Sequence, residues 1–178
     1  MDLKTLNKIQ FGYIDLSEDE YLDYMLTEIE LSPGFGEFYN ILNKKDIPFK
    51  IVSGGFLKGI EAFMESHGFY KIPIYANNLK FKGRDVFIEY YDEQYLQEAM
   101  GKDNYIDSKV EIVNKYKDKY NRIIFLGDGA TDVNIADKVD VLFAKDKLRD
   151  YCEENNIDYI PWENFYDIME VFSAENIY

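Results

Sequence analysis

Cysteine and histidine each occur once in the 178 residues, as Cys152 and His67. A lone thiol excludes a disulfide framework and any zinc site built on Cys, and a lone imidazole excludes His-rich metal centres and most His-based triads. Metal chemistry in this chain therefore rests on oxygen ligands. Basic residues are also scarce: 20 Lys and Arg stand against 34 Asp and Glu, a formal net charge of −14. That deficit argues against a nucleic-acid or membrane-surface partner, because phosphate backbones and anionic headgroups are held by Lys and Arg. A phosphorylated ligand has to be handled locally. Long apolar runs are missing too. The start, Met1-Asp2-Leu3-Lys4, has no secretory apolar stretch, and nothing approaches the roughly 20 residues of a membrane span, so the chain reads as cytoplasmic. Apolar content of 47% and aromatic content of 17% are ample for one compact soluble core and unlike a disordered chain.

Periodicity and punctuation give an alternation of strands and helices. Ser17 followed by Glu20 has the form of a capping box, and Tyr21, Leu22, Met25, Leu26 and Ile29 recur at helical spacing over residues 18–30. Pro33-Gly34 stops that helix, and a second runs through Glu37, Phe38, Ile41 and Leu42 to Lys45. Residues 49–52 read as a buried strand ending at Ser53-Gly54-Gly55, with a helix over 57–66 after it. Further on come a strand from Ile72 to Ala76, a hairpin of Leu79–Phe81 and Val86–Tyr90 about Gly83, a helix over 108–119, and a strand from Arg122 to Leu126. A helix near 131–137, a strand Val141–Phe143, a helix over 146–155, a strand at Tyr159-Ile160 and a helix over 164–172 complete the pattern. Such alternation predicts an α/β fold, a mostly parallel sheet flanked by helices, with ligands at the carboxyl ends of strands.

Two loops fall at such ends. Ser53-Gly54-Gly55 reads either as a tight turn that glycine permits, or as an anion cradle of one hydroxyl and exposed amides beside a helix start. Gly127-Asp128-Gly129-Ala130-Thr131-Asp132 places two carboxylates four residues apart across a strand end and a helix start. That suits an oxygen-ligand Mg²⁺ site with a supporting carboxylate, against the plainer reading of a loop acid and a helix-dipole partner. Lys109 opens an amphipathic helix, where a cation is mildly disfavoured, yet a lone Lys is ordinarily a solvated charge. His67 ends a helix before Gly68, and Cys152 reads as a packing residue.

Taken in order, Ile51-Val52-Ser53-Gly54-Gly55-Phe56, Ala76-Asn77-Asn78-Leu79-Lys80-Phe81, Lys109 on its helix, and Gly127-Asp128-Gly129-Ala130-Thr131-Asp132 resemble the haloacid dehalogenase (HAD) superfamily, in its phosphoserine phosphatase branch. The stretch from Leu142-Phe143-Ala144-Lys145-Asp146 to Tyr159-Ile160-Pro161-Trp162 and Phe165-Tyr166 is similar to the 2-hydroxy-3-keto-5-methylthiopentenyl-1-phosphate phosphatases of that branch. The resemblance spans roughly residues 16–172. It implies a Rossmann-like core over residues 31–178 with a hairpin near 78–92, and residues 1–30 as the remnant of a helical cap. It implies a phosphomonoesterase acting on a small phosphorylated metabolite, in which Ser53, with Gly54 and Gly55, holds the phosphoryl oxygens. Lys109 would neutralise phosphate and nucleophile, Asp128 would ligate Mg²⁺, and Asp132 would support that metal. Phosphoryl transfer asks mainly for positioning and positive charge, which a hydroxyl, a Lys and a metal supply.

One part of the family pattern is missing. Its nucleophile motif, D-x-D-x-T after an apolar strand, does not occur; the nearest candidate, Tyr13-Ile14-Asp15-Leu16-Ser17-Glu18-Asp19, has Ser17 and Asp19 at the wrong places and fits a cap loop instead. The central strand of the sheet goes with it. The strands ending at Ser53 and Gly127 are then expected to pair with each other, to recruit residues near Lys8 to Ile14, or to take a strand from a missing N-terminal segment or another copy, as a homo-oligomer. Asp128 loses partners, so Mg²⁺ binding is expected to be weak or absent. Three functions follow as alternatives: a truncated phosphatase, a non-catalytic phosphoester-binding or regulatory module, and a plain interaction protein.

Overall fold

The computed structural model describes residues 11–90 and 108–177. They divide into two compact units, one of residues 11–30 and 50–90 and the other of residues 31–49 and 108–177. The α/β architecture agrees with the sequence expectation, but the strands form two three-stranded sheets.

In the first unit, α1 (Glu18–Thr27) begins at the anticipated capping box: Glu20 N–H donates to Ser17 Oγ at 3.3 Å and Ser17 N–H to the Glu20 carboxylate at 2.8 Å. β1 (Ile51–Phe56) leads into the helix Leu57–Ser66, and Gly59 on that helix lies directly under the Tyr21 ring of α1. A Cβ there would stand 2.1 Å from the Tyr21 hydroxyl, so only glycine allows the contact. β2 (Ile74–Lys82) runs parallel to β1 at its start and antiparallel to β3 (Asp85–Glu89) at its end. The expected strand at 72–76 and the first hairpin arm are thus one strand, because Asn77-Asn78 stay extended between two partners instead of turning. Gly83, at φ +64°, takes the first central position of the two-residue turn, where the type II′ geometry calls for glycine. Arg84 beside it pairs with the carboxylates of Asp15 and Glu20, and Asp15 bridges to Asp85. Asp15 is therefore spent on fastening the N-terminal loop to the hairpin. Residues 11–14 add no strand; Lys8 to Gln10, and residues 91–92 of the expected hairpin region, lie outside the described residues.

In the second unit the helices Phe35–Lys44, Ser108–Lys117, Asp146–Asn155 and Phe165–Ala174 flank a parallel sheet ordered β4 (Ile124–Gly127), β5 (Val141–Ala144), β6 (Ile160–Pro161). β5 is covered on both faces, as parallel strands usually are. Phe143 joins Phe38, Leu42, Trp162, Ile168 and Phe172 on one side, while Leu142 and Ala144 join Ala136, Leu148 and Cys152 on the other. Enclosing Phe143 or Ile168 fully is worth roughly 1.5–3 kcal/mol each. The last helix starts at a second capping box, with Tyr166 N–H on Asn164 Oδ1 at 2.9 Å and Asn164 N–H on Asp167 at 3.0 Å. The helix expected near 131–137 is a 3₁₀ segment, Ala130–Ile135, tightened by the bonds that Asp132 makes back to its own loop.

β1 and β4 each stand at an edge of their own sheet; among the described residues β1 pairs only with β2 and β4 only with β5. The direct pairing of the strands ending at Ser53 and Gly127 is not found among the described residues.

Candidate phosphate-handling site

The first unit places Ser53, Gly54 and Gly55 at a β-bulge. β1 advances from Val52 to Phe56 while β2 advances only from Tyr75 to Asn77, so the three residues leave the regular ladder. They were expected as a loop after a shorter strand; the bulge keeps them in β1. Ser53 Oγ accepts the Gly55 N–H at 3.0 Å, and Asn77 Nδ2 donates to the Gly54 carbonyl at 3.0 Å. Beside Gly54 the space is open: a Cβ built there meets no atom within 4 Å.

The second unit brings Lys109, Thr131, Asp132 and the Gly127–Gly129 loop together. Asp132 is 3% exposed. Its Oδ1 takes the Lys109 ammonium at 2.5 Å, and its Oδ2 accepts the N–H of Gly129 at 3.0 Å and of Asp128 at 3.3 Å. Lys109 also donates to Thr131 Oγ1 at 3.1 Å. A buried acid thus finds a counter-charge and two amide donors, the condition for keeping a charge inside a protein.

The loop itself is held from behind. The Gly127 carbonyl accepts the Lys145 N–H at 3.2 Å and the Trp162 indole N–H at 3.3 Å, and the Asp128 carbonyl accepts the Leu148 N–H at 3.2 Å. The Lys145 ammonium sits 4.2 Å from the Trp162 ring centre, a cation–π contact that steadies the indole. Gly127 has no room for a side chain, since a Cβ would lie 2.7 Å from Phe125 and 2.8 Å from Leu148.

What remains outward-facing is the Asp128 carboxylate, exposed and without a side-chain partner among the described residues. Both oxygens of Asp132 are engaged by this chain's own groups, and no group of three acidic, His or Cys side chains placed to hold a metal ion occurs among the described residues. Magnesium needs an octahedral oxygen shell that one exposed carboxylate does not make, so the residues described do not by themselves fit a resident ion.

Asn77, Lys145 and Trp162 lie within the motifs quoted above, yet their sequence positions carry no sign of these contacts, because each depends on a fold-level approach. His67 caps the helix Leu57–Ser66, its Nδ1 at 2.8 Å from the Phe63 carbonyl and its ring against Phe63. Burial pushes the Cys152 thiol up, away from reactivity. No helix of the described residues is long and apolar enough to cross a membrane.

The family model for pyrimidine 5′-nucleotidase (UMPH-1) matches residues 14–171. A 2-hydroxy-3-keto-5-methylthiopentenyl-1-phosphate phosphatase of Microcystis aeruginosa is 36% identical over 146 residues, covering 79% of this chain and 63% of the relative. One of Bacillus cereus is 30% identical over 153 residues, covering 85% and 67%. The chain thus spans less than two thirds of the length of the Microcystis relative. Among solved structures, a phospho-aspartyl intermediate analogue of phosphoserine phosphatase superposes with TM-score 0.68 at 20% identity, covering 98% of this chain and 78% of that one. An apo phosphoserine phosphatase gives 0.67 at 20% identity, with 94% and 80% covered. At such identity these structures speak for the fold alone.

Proposed function

The chain belongs to the pyrimidine 5′-nucleotidase (UMPH-1) family of HAD-type phosphatases, and from that membership we propose that it binds the phosphoryl group of a small phosphorylated metabolite, a phosphate monoester, in the cytoplasm. Ser53 donates its hydroxyl proton to a phosphoryl oxygen, which when ionised can only accept, while the Gly55 N–H engages one Oγ lone pair and holds the hydroxyl in place. The open space at Gly54 admits the anion to the backbone there. In the second unit, taken by itself, Lys109 brings a positive charge to the loop after β4, and Asp132 fixes where that charge stands.

The observation that carries the proposal is the second of these arrangements: a buried Lys109–Asp132 pair whose carboxylate also gathers the Asp128 and Gly129 amides at the carboxyl end of a parallel strand. Surface ion pairs do not take this form. Ligands of open α/β sheets sit at such strand ends.

The HAD phosphatases are generally magnesium-dependent, but the described residues of this chain offer such an ion a single free carboxylate, Asp128, and do not by themselves make its shell. This sequence contains no D-x-D-x-T motif, and Asp15 is held by Arg84. The polypeptide on its own therefore binds a phosphate monoester without forming an aspartyl-phosphate, and binds Mg²⁺ weakly or not at all. The outer edges of β1 and β4, which carry no partner strand among the described residues, are compatible with the same reading, as strands that a further segment or a second copy would complete.

Calorimetric titration with inorganic phosphate tests this. Saturable binding is expected, lost in Ser53→Ala. Binding unchanged by Ser53→Ala, or no binding at all, overturns the proposal.

A further inference from the structure

Two consecutive glycines make a poor scaffold for an anion site. Each can take either sign of φ at little cost, and the peptide between them can flip. In this protein that peptide is fastened at both ends. Its N–H, from Gly55, is taken by Ser53 Oγ at 3.0 Å, and its carbonyl, from Gly54, receives the Asn77 amide at 3.0 Å. Ser53 is part of the bulge and moves with it. Asn77 is not: it stands in register opposite Phe56 on β2, a strand held by ladder bonds on both sides, and its side chain reaches back to Gly54.

We infer that Asn77 is a positioning residue: its side-chain amide anchors the Gly54–Gly55 peptide from the neighbouring strand and so holds the Ser53 hydroxyl in the orientation that meets a phosphoryl oxygen. The inference rests on the phosphate-binding reading given above. The linkage is geometric. With the Gly54 carbonyl pinned, the Gly55 N–H points at Ser53 Oγ and occupies one of its two lone pairs, which biases the hydroxyl proton to the side away from Gly55. Without the pin, the peptide rotates, the Gly55 N–H leaves Ser53, and the hydroxyl turns to whichever acceptor is nearest. The same Oγ also lies close to the Gly55 Cα, since a Cβ built there would stand 3.2 Å from it. The chemistry demands a donor at position 77. A carboxylate would set oxygen against the Gly54 carbonyl, and an apolar side chain would make no bond.

The test is the affinity for inorganic phosphate, measured by titration calorimetry alongside the thermal midpoint, in wild type and in Asn77→Leu, Asn77→Gln and Ser53→Ala. Leucine matches asparagine in shape without the donor; glutamine keeps the donor on a longer arm. Loss of one hydrogen bond of this kind corresponds to about a tenfold weaker Kd in Asn77→Leu, with partial recovery in Asn77→Gln and a thermal midpoint close to wild type in both. If Ser53→Ala loses phosphate while Asn77→Leu stays within twofold of wild type, the positioning role is refuted and the phosphate reading stands. If neither variant changes the Kd, both are refuted. Should Asn77→Leu fail to fold, Asn77→Ala carries the same expectation, and wild-type affinity in it refutes the role equally.

Discussion

Removing the Lys109 ammonium while leaving its partner in place isolates the interaction on which the second unit's loop depends. In Lys109→Met the aliphatic stem is retained, but the Asp132 carboxylate, whose side chain is 5% exposed, loses its only charged partner among the bonds described above. Two amides, from Asp128 and Gly129, remain to it. Breaking a buried pair from one side typically costs about 3–5 kcal/mol, because an uncompensated charge is left inside. The surviving amides place this case at the lower end, near 3 kcal/mol. For a chain of this length that corresponds to a fall in Tm of roughly 6–12 °C. Removing both charges, in Lys109→Met with Asp132→Asn, leaves a neutral pair whose amide oxygen still accepts from the loop, and recovers about 2 kcal/mol of the loss. Urea titrations of wild type, both single variants and the double variant, followed by circular dichroism, measure the cycle. A single-variant cost below about 1 kcal/mol, or a double variant that merely adds the two single costs, refutes the view that this buried pair fastens the loop.

Gly127→Ala drives a Cβ against Phe125, the buried Leu148 and the Asp132 carboxylate, and is expected to cost about 1–3 kcal/mol in a urea titration; a neutral result contradicts the packing described. Glu20, bonded first by the Ser17 amide and then by Arg84, is held down to about 2 from its ordinary 4.5. Its contribution to stability is complete above the unfolded value, shrinks as pH falls below 4.5, and is gone once pH passes through 2. Glu20→Gln therefore flattens the decline of the urea midpoint between pH 5 and 3, and a slope equal to that of wild type argues against the Ser17–Glu20–Arg84 arrangement. Gly54→Ala introduces a methyl group that touches nothing in the protein, so its thermal midpoint stays at the wild-type value while phosphate affinity falls several-fold; unchanged affinity would mean the anion does not approach there.

Much of this site was legible from local pattern. The Ser17–Glu20 box, the glycine–acid loop after β4, and Lys109 at a helix start are signals carried within a few residues, and each appears where the spacing puts it. What local pattern missed depends on distant chain. Asn77-Asn78 has the composition of a turn, but β1 on one side and β3 on the other hold it extended. Arg84 lies 69 residues from Asp15, and Trp162 lies 35 residues from Gly127, so neither contact has a sequence period to betray it. Ser53-Gly54-Gly55 reads locally as a turn after the strand; the register slip against β2 shows a bulge within it. The pairing of Lys109 with Asp132 was invisible for the same reason: the helix start marks the Lys, but its partner lies 23 residues away.

The central claim, that this polypeptide holds a phosphate monoester without cleaving it, is tested most directly by following p-nitrophenyl phosphate by ³¹P nuclear magnetic resonance in the presence of the protein and Mg²⁺. The predicted result is an ester signal broadened and shifted by wild type, restored to its free position in Ser53→Ala, with no inorganic phosphate accumulating over hours. An ester line untouched by the protein, or a growing inorganic phosphate signal that disappears in Asp128→Asn, would contradict it.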